Sequence, residues 1–99
     1  MTAPADEPLP PGAKFPLGVV VVTPSAATWL SAERIEQALR RHQAGDWGDF
    51  GADSEIAWNN AEALRRGWPV FSFYFRRMPE FRIVTSGDRS RTTVSTFRD

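Results

Sequence analysis

The chain has no cysteine, so disulfides and thiolate metal sites are excluded. It has one lysine against eleven arginines, and only one histidine and one tyrosine. It lacks a long apolar run: the longest, Leu17 to Val22, is far short of the roughly 20 residues that cross a bilayer. The opening residues, Met1 to Gly12, contain neither a basic nor an apolar segment and do not read as a signal peptide. No internal repeat is visible. These absences, with the lack of thiols, lead us to expect a cytoplasmic protein without membrane partners.

Four tryptophans and seven phenylalanines in 99 residues supply the large burial areas of a real core. This length suits one domain and not two. Formal net charge is zero, but it is unevenly spread. Residues 1–64 hold nine acids and four bases, a balance of −5; residues 65–99 hold three acids and eight arginines, a balance of +5. That asymmetry is either ordinary surface charge that cancels in three dimensions or an arginine-lined face for phosphates or an acidic partner.

Residues 1–14 carry four prolines and read as a disordered tail ahead of a single domain over 15–99. The run Val19 to Val22, closed by Pro24, predicts a strand buried on both faces and therefore central. Ser25 is a candidate cap for a short helical turn through Leu30, and Ser31 for a helix from Ala32 to about Gln43. In the latter, Ile35, Ala38, Leu39 and His42 share one stripe, and Gly45 ends the helix. A further helix is expected from about Ser54 to Arg66, capped by Asp53 or Ser54. Its apolar stripe is Ala57, Ala61 and Leu64, with Glu62 and Arg66 spaced to pair. Three strands follow, Val70–Arg77, Phe81–Ser86 and Arg91–Phe97, with Gly87-Asp88 as the hairpin turn. Alternation sends Phe71, Phe73 and Phe75 to one face, taken as the core, and Ser72, Tyr74 and Arg76 to the other. The expected fold is α+β: a two-layer sandwich with helices on one face of a four-stranded sheet, in the order strand, helices, three-stranded antiparallel meander.

Two polar clusters stand out. The first is Arg41-His42-Gln43-Ala44-Gly45-Asp46-Trp47-Gly48-Asp49. His42 beside Asp46 or Asp49 is either an oriented general base or a structural hydrogen-bonder bracing the loop. Asp46, Asp49 and Asp53 lack the spacing of a calcium loop, and no metal or cofactor is expected. Trp47 is a packed plug or an exposed recognition aromatic. Asn60, beside Asn59 in mid-helix, is expected to bond the Gly45–Asp49 loop or to face a partner. The second cluster is Asp88-Arg89-Ser90, followed by Thr92 and Thr93. It forms a turn stabilised by Asp88, or joins Asp46 across the fold in one small-ligand pocket. Finally, Tyr74, Arg76, Arg82 and Arg91 could make a basic and aromatic sheet face for nucleic acid.

Phe15-Pro16-Leu17-Gly18, the His42 and Gly-Asp-Trp-Gly-Asp segment, Asn60, Ser72, Tyr74, Ile83-Val84-Thr85 and Asp88-Arg89-Ser90 with Thr92-Thr93 carry a family likeness. Over roughly residues 15–94 the chain resembles small plasmid-related proteins encoded on mobile elements. The proline-rich start and the ending Ser95 to Asp99 depart from that pattern. The resemblance implies no catalytic role for any residue. The order of elements also resembles RelE-like ribonuclease toxins, which would make Tyr74, Arg76, Arg82 and Arg89 candidates for contact with RNA. The expectation is a non-enzymatic protein-interaction module acting on a host or defence-system protein. A ribonuclease toxin or RNA-binding protein is the alternative.

Overall fold

The structure, a computed structural model, describes residues 9–98. The chain runs β1 (Val19–Val22), α1 (Pro24–Trp29), α2 (Ala32–Gln43), α3 (Glu55–Arg66), β2 (Val70–Tyr74), β3 (Phe81–Thr85) and β4 (Arg91–Thr96). The strands form one sheet in the order β1-β4-β3-β2, with β1 parallel to β4 and the other pairs antiparallel. The architecture is the expected α+β arrangement. Residues 1–8 of the expected tail lie outside the described residues. Its remainder follows the end of α2, where the Lys14 amide donates to the Gln43 carbonyl at 2.8 Å.

Each helix begins where a hydroxyl satisfies a free backbone amide. Ser31 accepts from the Arg34 amide and Ser54 from the Ala57 amide, both at 3.1 Å. At α1 the cap is Thr23 rather than Ser25, with Pro24 in the first turn, where its missing N–H goes unnoticed. Ser25 pairs instead with Thr96 at 2.7 Å. Gly67 closes α3 at φ 74°, a left-handed cap. The buried face of α3 differs from the expected stripe. Asn60 and Ala63 are buried, Ile56, Ala57 and Leu64 pack beside them, and Ala61 is exposed.

Two sheet expectations are corrected. β1 is an edge strand, and Val19, Val20 and Val21 are 63%, 40% and 37% exposed. Unbroken hydrophobicity suggested burial on both sides, but among the described strands β1 pairs with β4 alone. The face of β2 is also reversed. Val70, Ser72 and Tyr74 point into the core, while Phe71 and Phe75 are exposed on the other side. Alternation was read correctly, but it does not say which face the helices cover.

Two apolar clusters fill the space between helices and sheet. One gathers Ala26, Leu30 and Ala38 against Tyr74, Phe81, Ile83 and Val94. The other packs Phe15 and Trp47 with Ala63 of α3 and Val70 of β2. All the strand residues in both clusters lie on the inner sheet face.

Candidate functional site

His42 is fully buried between these clusters. Nδ1 meets the Ser72 hydroxyl at 2.6 Å and Nε2 the Thr85 hydroxyl at 2.9 Å. Thr85 then pairs with Thr92 at 2.6 Å, and Thr92 donates to the Leu17 carbonyl at 2.7 Å. A hydrogen-bonded chain thus crosses the inner face from β2 to the residue pair ahead of β1. Burial, and then the positive charge of Arg89, push the imidazole down to about 3, so it stays neutral near pH 7. Asp46 and Asp49 do not touch it. The geometry is that of the structural hydrogen-bonder, with both ring nitrogens committed to hydroxyls.

The two carboxylates act on backbone and on Arg41. Asp46 binds the Arg41 guanidinium at 2.8 and 3.2 Å and accepts from the Gly48 amide, and the Arg41 bond holds its carboxyl below the usual range. Asp49 Oδ2 accepts from the amides of Phe75 and Arg76, at 2.8 and 2.9 Å. Burial works to raise Asp49, but these amides hold it below its ordinary value.

This loop closes the free edge of β2. Phe73 donates its amide to Trp47 and accepts at its carbonyl from the Asp49 amide. The approach demands glycine at 48, where φ is 86° and a Cβ would collide with the Phe73 carbonyl. One register further, Asn60 takes the place of a strand. Its Oδ1 accepts from the Phe71 amide at 3.0 Å and its Nδ2 donates to the Phe71 carbonyl at 2.7 Å. The expectation that Asn60 bonds the Gly45–Asp49 loop is thereby corrected, although both serve the same edge.

The Asp88-Arg89-Ser90 segment is a turn, as its simpler reading held. Asp88 accepts from the hydroxyls of Ser86 and Ser90 and from the Ser90 amide, and these bonds, led by Ser90, lower its carboxyl to about 2. Arg89, at φ 61°, reaches back to the carbonyls of Ala63, Trp68 and Ser86. It supplies a cation to the C-terminal end of α3.

The two clusters do converge, but on a packed ring. Phe15 stacks on Trp47 at 6.2 Å, meets His42 edge-on at 5.3 Å and lies 5.6 Å from the Arg89 guanidinium. Trp47 is therefore a plug. In place of the alternative reading, a shared ligand pocket, side chains fill the space between them. Among the described residues, no group of three or more metal-ligating side chains gathers.

The proposed basic and aromatic face is also divided by the fold. Tyr74 is buried inside, only 5% exposed, and burial pushes its hydroxyl up to about 12. Arg82 and Arg91 lie on the outer face, where Arg82 donates to Ser95, its partner across the strands. Arg76 lies beyond the end of β2.

Among the described residues, no helix covers that outer face. One rung crosses it as Val21, Thr93, Val84 and Phe71. It ends at β1, and among the described residues no strand occupies the far side of β1. Val19 and Thr23 turn their amides to β4, at Ser90 and Val94. Strand alternation then points the N–H and C=O groups of Val20 and Val22 outward. No charged residue occurs from Phe15 to Ala32, a stretch containing β1 and α1.

No family model matches the chain, and no curated protein or solved structure does. None of the helices among the described residues is long and apolar enough to cross a membrane. The open edge escaped sequence reasoning because a valine run looks the same at an edge and at a centre. Arg34 and Gln37 on α2 also escaped it, although their spacing of three and four residues places them on one stripe with Arg41.

Proposed function

We propose that the chain is a non-enzymatic interaction module that takes up an extended segment of another protein along the open edge of β1. The observation that carries this reading is the contrast in sheet edges: one closed by side chains and a loop, the other exposed, uncharged and apolar. A strand added there gains backbone hydrogen bonds at Val20 and Val22 and continues the apolar rung of Val21. The four strands contain Arg82 and Arg91 and no carboxylate. This charge favours a segment flanked by acidic residues over a second copy of the same face. Likeness to small plasmid-borne proteins points to a host or defence-system protein as the source.

Val20→Pro tests this directly. It removes one outward N–H and leaves the bonds to β4 in place. Capture from the presumed host should retain a specific protein with the unaltered chain and lose it with Val20→Pro. Retention by both, or by neither, overturns the reading. Sedimentation of the chain alone covers the remaining occupant: a dimer lost in Val20→Pro would assign the edge to a second copy instead.

A further inference from the structure

Where α2 passes the connection from β2 to β3, four arginines line one cavity of about 180 Å³. Arg34 and Arg41 come from α2, and Arg76 and Arg77 from the connection. Its floor is the Tyr74–Phe81 pair, stacked at 4.6 Å. The Arg34 guanidinium lies 4.9 Å from the Phe81 ring centre, and that of Arg41 lies 5.2 Å from the Tyr74 ring centre. Two cations are thus held over aromatic faces. Arg34 is fixed further by the carbonyls of Arg77 and Met78, at 2.8 and 3.2 Å, and Arg41 by Asp46.

Arg76 and Arg77 differ from these two. Among the described residues, their guanidiniums make no hydrogen bond or ion pair. Asp49 is the one carboxylate lining the cavity, and its Oδ2 is engaged by backbone amides. Setting Asp49 and Asp46 against four guanidiniums leaves two positive charges. Burial and the like charge of Arg77 both oppose the protonated form of Arg34, a sign of crowded cations.

We infer that this cavity is a binding site for a dianionic oxyanion of the phosphate class. A tetrahedral dianion matches two uncompensated charges and offers several acceptors to planar guanidinium forks. The cavity is smaller than the roughly 300–1,000 Å³ of pockets that enclose drug-sized ligands. It therefore takes a phosphate group, either the free ion or the end of a phosphomonoester whose remainder stays outside.

The test is a titration of the full chain with inorganic phosphate at constant ionic strength, with chloride as the balancing anion. Amide and arginine Nε resonances report binding. Saturable shifts at Arg34, Arg76 and Arg77 are expected. Arg76→Gln and Arg77→Gln should each weaken binding about tenfold, the effect of losing one charge-assisted hydrogen bond. Both side chains are exposed, so overlaid amide spectra check that the variants fold. Arg40→Gln, on the same helix but outside the cavity, should leave binding unchanged. Linear shifts, or equal binding by all variants, overturn the inference. A parallel titration with glycerol 2-phosphate separates the sources: binding at least as tight as phosphate identifies a group carried on a larger molecule, and its exclusion identifies the free ion. Failure of both ligands overturns the site.

Discussion

The two edges of this sheet solve the same physical problem in opposite ways. At β2 every outward backbone group from Phe71 to Arg76 that the structure pairs is met from within the chain: by the Asn60 amide, the Trp47–Asp49 loop and the Asp49 carboxylate. At β1, Val20 and Val22 face a side with no strand among the described residues. Edge strands are usually blunted with charge, proline or a covering segment. The difference teaches that closure here was built on one side only, using residues that look catalytic in the sequence.

The same substitution on both edges makes the sharpest break. Phe73→Pro removes an amide bonded to the Trp47 carbonyl and should lower unfolding free energy by more than ~3 kcal/mol, read from urea midpoints. Next, Asn60→Leu leaves the Phe71 N–H and C=O unmet and should cost about 2–3 kcal/mol. A loss below half that would show that water replaces the side chain freely, and the edge would not be closed in any energetic sense.

The chain of hydrogen bonds through His42 ties the two edges together, and pH probes it. Folding depresses this imidazole from 6.5 to about 3, so the folded state binds fewer protons than the unfolded state within that window. Its stabilisation is complete above pH 6.5 and falls as pH drops toward 3, by at most ~1.4 kcal/mol per pH unit. The upper part of that window, from about 6.5 to 5.5, lies above the ordinary carboxylate range, and a flat stability there would refute the depressed imidazole. Asp49→Asn comes next: the amides of Phe75 and Arg76 lose a charged acceptor, for about 1 kcal/mol. Smallest of all is Val20→Pro, expected to change stability by less than ~1 kcal/mol because its N–H faces outward. If it matched Phe73→Pro in effect, the comparison between edges would collapse.

Local signals carried most of the fold. Ser31 and Ser54 start their helices and Gly67 ends one as capping chemistry requires, and the meander follows from alternation and turn residues. What the chain hides is sidedness. Phe71 and Phe73 are larger and more apolar than Ser72, yet Ser72 is inside because His42 offers it a partner there. Asn60 looked poorly placed in a helix because its partner, the Phe71 backbone, lies eleven positions away. Both choices depend on contacts between elements, which no window of neighbouring residues contains. Trp47 and Asp88 were legible as plug and turn, since bracketing glycines and adjacent serines act locally.

Pro16 and Pro24 bracket the open edge, leaving only the seven residues from Leu17 to Thr23 between them. A valine-rich segment of that length, without charge, is of the kind that seeds fibrils by stacking on copies of itself. Neither proline can donate to a growing ladder, and Pro24 turns the chain directly into α1. The two rings therefore limit how far strand recruitment can spread along the chain, so that an edge left available for recognition does not become a template without end.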